Sequence, residues 1–335
     1  MGRTTGDRII FRRDRFMDGV SRLVRMARLG SDVDVRCLLA GQFTLDNPRA
    51  GPGVVPFHLV LDGWCTVASG ASTVALGPGQ LLLLPQGAAH RVMASSGPRH
   101  RIIEEAGGSF PIRRSADAKP ELDLFCGHYH FDSAAGELLF RLLPPMVHAT
   151  LDTPALTLAD VLRGEACMDG PGTGAIVAAL CDALLVMALR SRPDQRLGAT
   201  ALWTAMADEV IGRVIADVID RPDEQWTLDR MAATAAMSRA TFIRRFTAST
   251  GTTAARLLTS IRMMRAADLL THSDHSIARV ADEVGYRSES AFAQAFRATL
   301  GTSPARFRRD AAAGRREDAA GEHRWSSADE HAAPR

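Results

Sequence analysis

The run Phe125-Cys126-Gly127-His128-Tyr129-His130 places three metal-ligating side chains at every second position. In an extended strand that spacing puts Cys126, His128 and His130 on one face. His58 and His90 carry two further imidazoles. Where such strands close into a barrel, nitrogen and sulfur ligands converge, and that donor set suits zinc(II). Two other chemistries fit the same residues. Cys126 serves as an oxidant-sensing thiol if it is exposed with a lowered pKa. Otherwise the imidazoles are hydrogen-bonded polar groups around a buried thiol.

A second set of residues suits a polyanion. In Trp226–Phe246, Thr227 caps a helix that turns Leu228, Met231, Ala232 and Ala235 inward. Met237-Ser238 makes the turn, Ser238 caps a second helix, and Phe242 and Phe246 form its buried stripe. The outer face is then Arg239, Ala240, Ile243 and Arg244. Ser276–Phe296 repeats the layout. Ser276 caps Ile277, Val280, Ala281 and Val284, Gly285 turns, Ser288 caps, and Phe292 and Phe296 are buried. Glu289, Ser290, Ala293 and Gln294 face outward. Between the units a long helix is predicted over about Thr253–Leu270, ~27 Å at 1.5 Å per residue. It spaces the two second helices about one turn of DNA apart, ~34 Å.

Charge points the same way. The chain of 335 residues has a net charge of only +2, yet residues 238–309 hold twelve basic and five acidic side chains. A basic excess concentrated on tandem helical hairpins marks a nucleic-acid surface. Lys119 is the only lysine, so this charge is almost all arginine.

The helical part resembles the AraC/XylS family of transcription regulators over about residues 208–309. The resemblance rests on Trp226-Thr227-Leu228-Asp229, Met237-Ser238-Arg239, Phe242, Phe246 and Gly251. It continues in Arg262-Met263, Leu269-Leu270, Ile277, Val280-Ala281, Val284-Gly285-Tyr286, Phe292, Phe296, Gly301, Pro304 and Phe307-Arg308. The resemblance implies that each unit's second helix enters a major groove. Ala240, Ile243, Arg244, Glu289, Ser290 and Gln294 are then the base-reading positions. Arg239, Arg245, Arg287 and Arg297 are phosphate anchors, which position without specifying. Three positions depart from the family: Ala236 replaces a turn glycine, Ala254 a proline and Leu257 a tyrosine.

From Asp34 to about Phe131 short apolar runs alternate with Gly, Pro and Asp clusters, the texture of a β-sandwich or barrel. Phe57 and Trp64 are expected in its core. Gly79, Pro85, Gly87 and His90 have the spacing of the second cupin motif, and Phe57–Gly63 resembles a degraded first motif. The whole is similar to the cupin-type sensor domain of one AraC-type subgroup. That resemblance implies an effector pocket at His58, His90, Cys126 and His128. Metal-dependent cupins use a paired histidine and a glutamate where this chain has Val60 and no glutamate. An oxygenase activity is therefore not expected. The alternative is a cupin enzyme fused to a DNA-binding module.

The fold class expected is α+β in two domains: a cupin-like β-barrel or sandwich with flanking helices, then an all-α tandem helix-turn-helix domain. The divisions are 14–190 for the sensor, 191–203 for a linker, 204–309 for the DNA-binding domain and 310–335 for a disordered tail. A first helix is predicted from Asp14 to Leu29. The stripe Ile176, Leu180, Leu184 and Met187 is expected as a homodimer seam, with internal packing as the alternative. The five cysteines are odd in number and include no CxxC, which suits free thiols in a reducing cytoplasm. No apolar run reaches ~18 residues, so no membrane partner is expected. The expected partners are double-stranded DNA, a small effector, a second copy of the chain and RNA polymerase. Zinc(II) is the one cofactor the residues suggest.

Overall fold

The computed structural model describes residues 19–131, 133–168, 170–190, 205–206 and 208–313. Residues 14–18 of the expected first helix, the linker 191–203 and the tail from 314 onward lie outside them.

The N-terminal half is two packed sheets. Its strands are β1 (Gly30–Leu39), β2 (Phe43–Asn47), β3 (Val54–Asp62), β4 (Cys65–Ser69), β5 (Ser72–Leu76) and β6 (Gln80–Leu83). They continue as β7 (His90–Ala94), β8 (Ile102–Glu105), β9 (Ile112–Ser115), β10 (Leu122–His130) and β11 (Val147–Thr150). One sheet runs β11-β6-β3-β10-β1-β9-β8 and the other β2-β7-β4-β5. Period-two alternation sorts the side chains of β10. Leu124 and Cys126 face the core between the sheets, together with Cys37, Cys65, Val67, Leu82 and Val92. Phe125 and Tyr129 face the opposite way, onto helices.

Those helices are α1 (Gly19–Ala27), α2 (Ala134–Arg141), α3 (Thr153–Glu165) and α4 (Thr173–Arg190). Helix α4 lies on β1, and the Tyr129 hydroxyl donates to the Cys181 carbonyl at 2.8 Å. Gly127 is a position of close approach. A Cβ there would stand 2.6 Å from the Phe57 ring and 2.3 Å from the Asp32 carbonyl oxygen.

The structure departs from two expectations. Phe57 is buried, but Trp64 is 67 % exposed. Trp64 follows Gly63 in the tight β3–β4 turn, so its ring lies over Gly77 outside the sandwich. Leu184 is 1 % exposed within a single chain, packed with Val177 and Leu185 against the sheet. The dimer seam expected through Leu184 is therefore internal core. On these flanking helices the large apolar side chains left exposed among the described residues are Ile176 on α4 and Leu156 and Val161 on α3, with Met168 just beyond.

The C-terminal half is helical: α5 (Ile211–Asp220), α6 (Leu228–Thr234), α7 (Arg239–Thr250), α8 (Ala254–His272), α9 (Ile277–Glu283), α10 (Glu289–Leu300) and α11 (304–313). Helix α11 runs four residues into the segment expected to be a disordered tail. The predicted caps form. Thr227, Ser238, Ser276 and Ser288 each accept from the backbone N–H three residues on, each worth about 1 kcal/mol. Thr253 caps α8 in the same way. The turn residue Ala236 keeps the left-handed geometry of the glycine it replaces, at φ 52°, a cost of about 1–2 kcal/mol for an L-residue. Leu257 is buried where the family has tyrosine. The halves meet where α1 and α2 pack on α5 and α8, and Arg22 pairs with Asp220 at 3.1 Å.

Candidate functional site

The outward rows of α7 and α10 stand as the residue pattern demands. Phe242 and Phe246 are buried, which turns Arg239, Ala240, Ile243, Arg244 and Arg245 to solvent. Ile243 is 41 % exposed, an apolar side chain standing among arginines. On α10, Phe292 and Phe296 are buried and Glu289, Ser290, Gln294 and Arg297 are exposed. Arg287, in the preceding turn, is also exposed and donates to Gln225 at 3.3 Å.

Not all of the basic excess is free for a ligand. Arg245 pairs with Asp208 at 2.8 Å, and Asp208 also accepts from the N–H groups of Val210 and Ile211 at the start of α5. Its carboxyl sits below the ordinary range: burial opposes this, and the Ile211 N–H and Arg245 outweigh it. Arg239 lies 3.6 Å from Asp229. Arg262 of α8 donates to the carbonyls of Pro222 and Glu224 and lies over the Tyr286 ring. It ties the linker helix to the loop before the first hairpin and to the turn of the second. These ties cross many residues of sequence, and no local spacing announces them.

Inside the sandwich, three of the four expected pocket residues meet. His58 Nδ1 lies 3.2 Å from Cys126 Sγ, and His58 Nε2 lies 2.7 Å from His90 Nε2. His90 Nδ1 lies 2.9 Å from the Ala88 carbonyl oxygen. That oxygen only accepts, so His90 carries its proton on Nδ1 and presents a bare Nε2. His58 then donates from Nε2 and accepts on Nδ1, and the Cys126 thiol donates to it. Burial pushes His58 down to about 3, with His90 beside it adding to the shift. Burial also lowers His90, against the raising effect of the Ala88 carbonyl. Both rings are neutral. The neighbouring Cys37 sulfur and burial hold the Cys126 thiol well above its usual range. Burial takes Cys65 up to about 12. This is a protonated, relay-linked thiol, not a resting thiolate.

The cupin fold raises the question of a metal at this floor, and the residues do not fit one. Two nitrogens on one tetrahedral zinc, each at about 2.0–2.1 Å, stand over 3 Å apart. The His58 and His90 nitrogens are at 2.7 Å and share a proton. His128, the fourth expected residue, does not join them. It sits at the rim of a cavity of about 160 Å³ above the floor, with its Nδ1 2.9 Å from Asp34. His130 pairs with Asp32 at 3.4 Å. The sequence reading missed Asp32 and Asp34, although their own i, i+2 spacing in β1 matches that of the histidines. The exposed thiol among the described cysteines, Cys167, was also passed over; it accepts from Arg36 at 3.2 Å.

A family model described as a cupin matches residues 18–192, and one described as a helix-turn-helix domain matches 231–310. An uncharacterized HTH-type transcriptional regulator of Haemophilus influenzae is 30% identical, over 88% of this chain and 99% of its own. A putative AraC-like transcription regulator of Streptomyces lividans is 30% identical, over 88% of this chain and 98% of its own. The chain belongs to the AraC-like transcription regulators. This regulator is also 26% identical to the RCS-specific HTH-type transcriptional activator RclR of Escherichia coli, over 87% of this chain and 97% of that one. It is a DNA-binding transcription regulator with an N-terminal cupin domain. No helix among its described residues is long and apolar enough to cross a membrane.

Proposed function

We propose that the regulator reads one face of a DNA duplex with α7 and α10 in successive major grooves. The observation that carries this is Ile243, an apolar side chain held in solvent on a helix whose other side is fully packed. Ala240 and Ile243 offer methyl groups to thymine, and Arg244 offers a bidentate pair to guanine. Glu289, Ser290 and Gln294 read the second groove. Arg239, Arg287 and Arg297 hold phosphates. Arg245 exchanges Asp208 for a phosphate on binding.

The sensor responds to a small effector or oxidant entering the 160 Å³ cavity above His58, His90 and Cys126. The regulator acts as a homodimer in the cytoplasm and signals to RNA polymerase. The dimer contact lies on the outer face of α3 and α4, a reading supported by exposed Leu156, Val161, Met168 and Ile176. No turnover is assigned to the barrel, because its floor does not fit the metal that cupin oxygenases use.

The test is a gel-shift series on a selected target. Arg244→Ala lowers affinity by about 1–3 kcal/mol and relaxes preference at one base pair. Unchanged affinity and base preference in that variant overturn the groove assignment.

A further inference from the structure

Four polar side chains remain at the rim of the sandwich, outside the buried relay. Asp32 and Asp34 come from β1, His128 and His130 from β10. The two strands pair antiparallel, with Asp32 opposite His128 and Gly30 opposite His130. Their ligand atoms gather on one side of the ladder. One ligand atom each from Asp32, His128 and His130 lie within 4.8 Å of one another, the one such trio of His, Cys, Asp and Glu among the described residues.

We propose that Asp32, His128 and His130 form a site for one divalent first-row transition-metal ion of the zinc(II) type, with Asp34 as its supporting carboxylate. His130 Nδ1 lies 3.4 Å and His128 Nε2 3.8 Å from Asp32 Oδ2. Ligands at about 2.0–2.2 Å from a tetrahedral ion stand roughly 3.3–3.6 Å apart. The Asp32–His130 separation is that of two ligands on one ion, and the Asp32–His128 separation is about 0.2 Å wider than that range. The floor pair, at 2.7 Å, fails the same comparison.

The tautomer of His128 is set from behind. Its Nδ1 lies 2.9 and 3.1 Å from the two oxygens of Asp34. Nδ1–H therefore donates to Asp34, and the bare Nε2 faces Asp32. A carboxylate behind a ligating imidazole is the arrangement that orients the ring and raises its basicity in metal sites. The register shift between Val33 and Val35 makes Asp34 the extra residue of β1. A bulge re-aims a side chain in this way.

His130 is placed by a glycine. A Cβ on Gly30 would stand 2.5 Å from His130 Nε2. Only a bare Cα lets the ring lie there with Nδ1 turned to Asp32. Two imidazoles and one carboxylate, with room for water on the open side, suit zinc(II), cobalt(II) or nickel(II) over calcium, which demands more oxygen ligands. The inference goes beyond the DNA-reading function and does not depend on it.

The test uses the untagged full-length protein, stripped with EDTA and dialysed. Zinc(II) alone is the probe, in competition with a chromophoric chelator, and bound metal is counted by elemental analysis. The wild type is expected to bind one zinc per chain. Asp32→Asn and His128→Gln should each weaken binding at least tenfold. Asp34→Asn touches no ion and should still weaken it about 10–100-fold. Gly30→Ala should weaken it too, by displacing His130. Circular dichroism of each variant guards against unfolding. His58→Gln should leave zinc binding at the wild-type level. Substoichiometric zinc on the wild type overturns the proposal, as does equal affinity in wild type, Asp32→Asn and His128→Gln. The four side chains are then cross-strand ion pairs only. Zinc binding lost in His58→Gln and retained in His128→Gln places the ion at the floor and also overturns it.

Discussion

His58 and His90 meet nitrogen to nitrogen at 2.7 Å, and the Ala88 carbonyl decides the direction of the proton between them. Because that oxygen fixes the His90 tautomer, the whole series runs one way, from the Cys126 thiol through His58 and His90 to the backbone. A proton added to either ring breaks the series and leaves a charge in an apolar interior.

Stability should therefore fall in acid. The unfolded chain protonates His58 near 6.5, whereas burial holds the folded ring neutral to about 3. Between these values the unfolded state binds more protons, so stability drops as pH falls below about 6.5. His58 contributes up to about 1.4 kcal/mol per pH unit. His90, shifted in the same direction, adds to the slope. Urea midpoints at about pH 7.5 and about pH 5.5 measure it. His58→Gln should be less stable at neutral pH but show a flatter pH dependence. An equally steep slope in the variant would mean that the relay is not the titrating element.

Thiol reactivity should divide the cysteines one against four. Cys167 is exposed, whereas Cys37, Cys65, Cys126 and Cys181 are buried. A water-soluble disulfide reagent should give one fast equivalent, absent in Cys167→Ser, and four slow ones that follow unfolding. A fast phase surviving in Cys167→Ser would show that the barrel opens on the labelling timescale.

Local features of the fold were legible and long-range ones were not. Thr227, Ser238, Ser276 and Ser288 could be assigned as caps because each cap bond spans three residues. The Phe242–Phe246 and Phe292–Phe296 stripes lie on one helix each. The alternation of Cys126, His128 and His130 also predicted a shared face correctly. It did not reveal that His128 turns to Asp34, 94 residues away, because that depends on β1 lying beside β10. Helix α4 misled because it is apolar all round. Periodicity picked out Leu184 and Ile176 together, and only the sheet beneath α4 makes one core and the other surface. In sequence Arg245 resembles its arginine neighbours, and only the fold brings Asp208 beside it.

That distinction on α4 yields a dimer prediction. Leu184→Asp puts a charge into the packed interior and should cost about 4 kcal/mol or more, lost as folding rather than as pairing. Ile176→Asp and Met168→Asp change exposed positions and should leave the monomer's stability within about 0.5 kcal/mol. If the outer face of α3 and α4 joins two copies, these two variants sediment as folded monomers while the wild type sediments as a dimer. A dimer unaffected by both would move the contact elsewhere.

In the proposed two-groove reading, the spacing of the grooves rests on α8. Its 19 residues give about 28 Å at 1.5 Å per residue. Leu257, Ile261 and Met264 are buried along it, so it is packed rather than free. Arg262 fixes its angle from the middle, holding the Pro222 and Glu224 carbonyls in the loop that leads into the first hairpin and lying over Tyr286 of the second. A rigid spacer of this length demands two subsites about 10–10.5 bp apart on one face of the duplex. Inserting about half a turn of DNA between them should remove the second contact by rotating it to the far side. Inserting a full turn should not restore it, because a single chain cannot stretch by another ~34 Å. Arg262→Ala frees the hairpins to tilt and should narrow the penalty for the half-turn insertion while weakening the native target. Footprints on the three spacings, with wild type and Arg262→Ala, provide the measurement. Full recovery at one added turn would show that the two contacts come from different chains, and the tandem reading by α7 and α10 of one chain would fall.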